Sequence, residues 1–94
     1  MIFAIEAVRY GDDGLIESVR WHSIDVTDSG LKKGASEVVD AQTAMKASVE
    51  DAVHICHHGA PASTVGVGKT PRGVTLVDRA TTPKDQLLDQ LPRF

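Results

Sequence analysis

The chain has few of the features that mark several classes of protein. It contains one cysteine, one tryptophan, one tyrosine and two phenylalanines in 94 residues. A single cysteine excludes an internal disulfide framework and is typical of a reducing cytoplasm, which is the expected compartment. No apolar run approaches the roughly 20 residues of a membrane helix, and the start reaches Glu6 without a basic segment, so we expect neither a membrane anchor nor a signal peptide.

The composition that remains is that of an ordinary small domain. The hydrophobic fraction is 41% and the charged fraction 24%, and residues 1–94 are expected to form one domain. The formal net charge of −3 is too small to indicate a surface for nucleic acid or anionic membranes. A domain of this size buries roughly 60–65% of its unfolded surface, so a ligand is expected in a groove or between subunits rather than in an enclosed cavity.

The first predicted element is a β-hairpin formed by residues 2–10 and 15–24. A three-residue loop, Asp12-Asp13-Gly14, with Gly14 in the left-handed region, sets the register. This register matches apolar side chains and opposite charges across the strands: Ile2–Ile24, Ile5–Trp21, Ala7–Val19, Glu6–Arg20 and Arg9–Glu17. The predicted core face carries Phe3, Ile5, Ala7, Val19 and Trp21. The opposite face carries Glu6, Ser18, Arg20 and His22.

The middle of the chain predicts a loop followed by a helix. Residues 25–35 contain two glycines and a cluster of Asp, Ser and Thr, which favours a loop. Ser36 can cap a helix, and the apolar spacing over residues 38–45 is helical. The helix either continues to a C-cap at Gly59 or closes at residues 46–48 before a strand over residues 52–57. We favour the strand, because a helix of this length is unusual in so small a domain.

The last third predicts two strands and a short helix. Residues 62–68 and 74–78 are strand candidates joined by a turn at residues 70–73. Thr82 and Pro83 fit the N-cap and first position of a C-terminal helix that ends at Pro92. Its leucines, with Phe94, would either close the core or supply an interface, and we favour closing the core because a small sheet needs its open face covered. The predicted fold is α+β: a small, mainly antiparallel sheet of about five strands, one central helix and a short C-terminal helix.

The stretch from Gly66 to Thr70 invites comparison with a phosphate-binding loop. Ser63 stands where that motif needs a glycine, and Pro71 indicates a turn where the motif needs a helix. The pattern therefore predicts a glycine-bearing strand that runs into a hairpin turn.

The stretch with the most reactive side chains is His54-Ile55-Cys56-His57-His58. On a strand, His54, Cys56 and His58 share one face, and His22 could join them to bind zinc or another transition metal. The alternative is an interior-facing Cys56 beside solvent-side histidines, since no second Cys/His cluster completes a site. No catalytic residue is predicted, because strand neighbours of Cys56 point to opposite faces and no oxyanion loop is recognisable.

The basic residues do not form a cluster in the sequence. They lie among acidic residues, with few aromatic residues to stack on bases: Lys32, Lys33, Lys69, Arg72, Arg79 and Arg93. Nucleic acid is therefore not the expected partner, and Trp21 is expected to be a core anchor.

The order of these segments resembles a family of short bacterial proteins known only as a domain of unknown function. Its members show a Val-Arg-Trp strand, a Val-Gly-Val strand and a leucine-rich ending before a proline, which correspond here to residues 19–21, 65–67 and 85–92. Gln86 stands at the family's tail asparagine, and an extra residue separates Leu88 from Leu91. The resemblance implies a compact α+β fold in a bacterial cytoplasm and a strand over residues 52–57, and it supplies no catalytic residue.

These observations predict a non-enzymatic binding or interaction module with a protein partner or a second copy of itself. The alternatives are a metal-binding protein that uses the His54–His58 stretch and a nucleic-acid-associated accessory protein.

Overall fold

The computed structural model describes residues 2–57, 60–79 and 88–94. The strands are β1 (Ile2–Tyr10), β2 (Ile16–Thr27), β3 (Gly30–Asp40), β4 (Ala52–His57), β5 (Ala60–Thr70) and β6 (Gly73–Asp78), and helix α1 spans Ala41–Glu50. They form one sheet in the order β3-β2-β1-β4-β5-β6. Because β1 and β4 run parallel while the other pairs are antiparallel, the sheet is mixed. The predicted α+β class is confirmed, with six strands instead of about five.

The first hairpin follows the predicted register from Ile2 to Ile5 and departs from it over residues 7–9, and a second shift between Arg9 and Tyr10 restores it where Tyr10 pairs with Ile16. Ile2 pairs with Ile24 and Ile5 with Trp21, and Gly14 has the expected positive φ of 78°. A bulge at Glu6 then shifts the pairing by one residue. The predicted partners Ala7–Val19, Glu6–Arg20 and Arg9–Glu17 are wrong for this reason. The observed partners are Ala7–Arg20, Val8–Val19 and Arg9–Ser18.

The loop predicted over residues 25–35 is wrong, because this part of the chain forms a second hairpin. Strand β2 continues to Thr27, a two-residue turn follows, and β3 begins at Gly30. The Thr27 hydroxyl donates to the Gly30 carbonyl at 2.9 Å, and Gly30 adopts a φ of 126°. Asp28 and Ser29 therefore close a turn that glycine and a threonine side chain stabilise.

The predicted helix start at Ser36 is also wrong, since Ser36 lies within β3. Helix α1 begins at Ala41, and its N-cap is Asp40, whose carboxylate accepts the Thr43 amide hydrogen at 2.7 Å. This hydrogen bond from the Thr43 backbone lowers the pKa of Asp40. The Asp51 amide donates to the Ala47 carbonyl and ends the helix.

The choice between helix and strand after residue 50 is decided for the strand, β4. Strands β5 and β6 and the turn at Pro71-Arg72 are also as predicted. Of the predicted C-terminal helix, residues 82–87 lie outside the described residues. The described remainder forms one 3-10 turn, Leu88–Gln90, so no second α-helix is present in the described part of the chain.

The core lies between α1 and one face of the sheet, here called the core face. Trp21, 3% exposed, stacks on Phe3 with ring centroids 4.2 Å apart, and Ala44 of α1 is fully buried. Because cross-strand partners share a face, the bulge turns Ala7 away from the core face and Val8 takes its predicted place. The buried cluster comprises Ile5, Val8, Ile16, Val19, Trp21, Ala44, Val53, Ile55, Val65, Leu76, Leu88 and Leu91.

The end of the chain joins the sheet beside β1. The Val8 amide donates to the Pro92 carbonyl at 2.9 Å, and the Phe94 amide donates to the Val8 carbonyl at 3.2 Å. The Phe94 ring lies within 5.0 Å of the guanidinium carbons of Arg9 and Arg20. The C-terminal residues therefore extend the sheet next to Val8.

Candidate functional site

Three of the four predicted metal ligands lie within the described residues, on the face of the sheet opposite α1, here called the second face. His22 lies opposite Ala4 of β1, and Ala4 lies opposite His54 of β4. Cys56, two residues beyond His54, shares that face. Two strand spacings place the His22 and His54 Cα atoms about 10 Å apart, with the small Ala4 side chain between them.

These ligands do not converge in the described part of the chain. Nowhere in that part do three His, Cys, Asp or Glu side chains meet in a group that could hold a metal ion. The fourth predicted ligand, His58, lies outside the described residues. Cys56 is half-buried, and the core-facing residues of β4 are Val53 and Ile55. The alternative interpretation expected Cys56 to face the interior, but Cys56 does not face the core that α1 covers. Binding of zinc or another transition metal by these residues stays a prediction.

A polar cluster around Glu6 occupies the second face beside His22. The bulge turns the Glu6 carboxylate toward β3, where the Ser36 hydroxyl donates to Oε2 at 2.6 Å. Lys33 Nζ lies 3.4 Å from Oε1. The buried His22 Nδ1 lies 3.5 Å from Oε2 and makes no hydrogen bond with any described residue. The cluster joins β1 to β3 across β2, a contact that local sequence patterns do not reveal.

The charge of Glu6 is stabilised in this cluster. Partial burial raises its pKa, and the Ser36 hydrogen bond with the neighbouring His22 and Lys33 outweighs that effect, so the pKa is lowered from 4.5. The Ser36 hydroxyl donates to Glu6 and not to His22. The arrangement therefore does not form a serine–histidine nucleophile pair, and its role is to stabilise the sheet.

Replacing Glu6 by glutamine is expected to reduce the dependence of stability on pH. A folded-state pKa below the unfolded value stabilises the protein above the unfolded pKa and loses that effect as pH falls through the folded pKa. We expect the variant to be about 1 kcal/mol less stable than wild type near pH 7, and the difference to vanish near pH 3. Urea denaturation across this range measures it. Glu17→Gln, an exposed control without a partner among the described residues, should show no such trend, and an equal deficit for Glu6→Gln at both ends would contradict the prediction.

A cavity of about 490 Å³ lies between the tips of the β1–β2 and β5–β6 hairpins. Its lining is mostly apolar, and Arg72 at one side donates to the Asp13 carbonyl at 3.2 Å. Asp78 and Leu88, which lie on either side of the undescribed residues 80–87, both line it.

The stretch from Gly66 to Thr70 is strand that leads into a hairpin turn, as predicted. Its two glycines allow close packing: a Cβ on Gly68 would meet Val77, and a Cβ on Gly66 would meet the Arg79 guanidinium. Lys69 and Arg72 belong to the β5–β6 hairpin, whereas Lys32 and Lys33 lie on β3 at the opposite edge of the sheet. The described structure therefore separates these basic residues.

Three of the exposed apolar side chains among the described residues, Val26, Leu31 and Val38, belong to the second hairpin, which the sequence interpretation missed. Ile24 pairs with the first described residue of β1, Ile2, so residues 25–32 project beyond β1 as an arm. Within this arm, Val26 lies opposite Leu31, and the two side chains are 71% and 61% exposed. The alternating apolar residues Ile24, Val26 and Leu31 around a two-residue Asp-Ser turn were the signal that could have revealed it.

Strand β3 is an outer strand of the sheet, and among the described residues it pairs only with β2. All of its eleven residues are exposed except the half-buried Gly34 and Val39. Val38, near its end, is 55% exposed. An outer strand presents unpaired backbone donors and acceptors along one side. The arm and the outer side of β3 together form the candidate interaction edge.

No family model, curated protein or solved structure matches the chain. The resemblance to the uncharacterised bacterial family therefore stays a prediction. In the described part of the chain, no helix is long and apolar enough to cross a membrane.

Proposed function

We propose that this protein is a non-enzymatic protein-interaction module that binds an extended strand along the outer side of β3. The observation that carries the proposal is an exposed eleven-residue outer strand that pairs on one side only among the described residues. Such a strand offers backbone hydrogen bonds to an added strand, and its alternate side chains supply specificity.

Side chains on β3 support this use of the edge. Leu31 and Val38 place two exposed apolar groups on the second face. Lysines commonly protect outer strands from pairing. Lys33 is drawn toward Glu6, 3.4 Å away, so one of the two lysines of this strand is already engaged by the sheet itself.

Selection from a random twelve-residue peptide library against the whole protein tests the proposal. Selected peptides should lose at least about tenfold in affinity for Val38→Glu, which removes an apolar contact and adds charge at the edge. They should bind the control Val49→Glu unchanged, since Val49 is 77% exposed on α1 and is not part of β3. Failure of the monomeric protein to select any peptide, or equal binding to wild type and Val38→Glu, would overturn the proposal.

A further inference from the structure

We infer that the strand bound by β3 is β3 of a second copy of this chain, antiparallel about a two-fold axis, with Leu31 opposite Val38 and Lys32 opposite Glu37 of the second copy. The inference rests on the proposed binding edge and names its partner. A two-fold axis repeats each contact, so one strand supplies both halves of the interface.

A bulge in β3 allows this register. His22 pairs with Ser36 and Ile24 with Lys33, so Gly34 and Ala35 stand together opposite Ser23. Residues seven positions apart face opposite sides of a regular strand, but one extra residue between them restores a common face.

The partners on β2 confirm that the apolar pair shares the second face. Leu31 lies opposite Val26, and Val38 lies opposite Arg20. Val26 and Arg20 are an even number of residues apart on β2, on the same face as His22 and Ile24. Directly opposed side chains of an antiparallel pair must share a face, and Leu31 and Val38 meet this requirement.

The two charged residues of the inferred contact, Lys32 and Glu37, both lie on the core-face side of β3. Lys32 lies opposite Asp25, and Glu37 lies opposite Trp21. Lys32 makes no ion pair with Asp25 or with any other described residue, and Glu37 accepts the Trp21 indole hydrogen at 3.1 Å without a cation beside it. One edge therefore carries an exposed cation and an exposed anion, both without an ion-pair partner among the described residues.

The two-fold axis brings these features together in one register. When Leu31 lies opposite Val38, Lys32 lies opposite Glu37, and the small residues Gly34 and Ala35 meet at the axis. A shift by one residue pairs Leu31 with Glu37, which is on the other face. A shift by two residues places Leu31 opposite Ser36 or Asp40 and loses both the apolar and the ionic matches.

Cysteine cross-linking tests the partner and the register together. All variants carry Cys56→Ser, so that only introduced thiols react. In the inferred dimer, position 31 lies opposite position 38 of the second copy, whereas two copies of position 31 are about 23 Å apart, beyond the reach of a disulfide. Mixing Leu31→Cys with Val38→Cys under mild oxidation should give a covalent dimer, and neither variant alone should give one.

Charge reversal provides the second measurement. Lys32→Glu or Glu37→Lys places like charges opposite each other, and each should weaken dimerisation about tenfold, measured by sedimentation or light scattering. The double variant restores opposite charges and should return to within about threefold of wild type.

The outcomes separate this inference from the proposed function. Wild-type protein that stays monomeric up to about 1 mM overturns the second copy as partner, while peptide selection at the edge would still support the module. A wild-type dimer without the mixed cross-link overturns the inferred register. A monomer that also selects no edge-dependent peptide overturns both.

Discussion

Replacing Trp21 by alanine is expected to lower the free energy of unfolding by about 3–5 kcal/mol, a large part of the total of about 5–15 kcal/mol for a small domain. Trp21 is 3% exposed and stacks nearly parallel to Phe3, at an interplanar angle of 15°. Its indole nitrogen also donates to Glu37. Alanine removes the ring contact, leaves a cavity beneath α1 and breaks a link from β2 to β3.

Chemical denaturation followed by circular dichroism measures this loss, since the variant has no tryptophan to report by fluorescence. Trp21→Phe keeps an aromatic ring against Phe3, so its loss of stability should be less than half of the loss caused by Trp21→Ala. Val49→Ala, at a residue 77% exposed, should change stability by less than about 0.5 kcal/mol. A loss below about 1 kcal/mol for Trp21→Ala would show that this ring does not anchor the core.

Trp21 also connects the core to the candidate interaction edge. Its role as a core anchor was predicted from the sequence, and its burial confirms it. Its hydrogen bond to Glu37 orients a carboxylate on the exposed edge of β3. If the inferred dimer forms, Trp21→Phe should therefore weaken it, because the Glu37 side chain loses the donor that fixes its direction.

The elements that the sequence predicted are those with local signals. Gly14 marks a turn that needs positive φ, and the β-rich residues 53–57 mark β4. Gly30 and Gly34 instead suggested a loop over residues 25–35. In the structure, Gly30 follows a tight turn, and Gly34 lies in a bulge where a Cβ would meet the Ser23 hydroxyl. Glycine thus marked local backbone geometry within a hairpin and not the absence of one.

The polar cluster around Glu6, by contrast, depends on contacts across three strands that no local pattern encodes. The predicted pairing of Glu6 with Arg20 used only two strands, whereas the Glu6 carboxylate interacts with Ser36 and Lys33 on a third. The register therefore changed at a residue whose partners lie 27 and 30 positions along the chain, on a strand that the two-strand pairing did not include. His22, His54 and Cys56 lie on one face of the sheet, and metal binding by these residues with His58 stays a prediction.

Deleting residues 88–94 is expected to destabilise the protein by more than about 3 kcal/mol. Leu88 and Leu91 are 5% and 8% exposed within the core cluster, and each buried leucine contributes about 1.5–3 kcal/mol. The deletion also removes the two backbone hydrogen bonds to Val8 and opens this part of β1 to water.

Phe94→Ala separates the backbone contribution of the C-terminal residues from that of the aromatic side chain. It keeps Leu88, Leu91 and the bonds to Val8 but removes the ring beside Arg9 and Arg20, a contact worth about 1 kcal/mol at an exposed site. Urea denaturation measures the loss of stability in the deletion variant and in Phe94→Ala, and hydrogen exchange measures the protection of the Val8 amide in each. Full protection of that amide in the deletion variant would contradict the closing role of the C-terminal residues. If the deletion exposes Val8 while Phe94→Ala does not, these residues close the core through their leucines and backbone, and β3 stays the edge available to a partner.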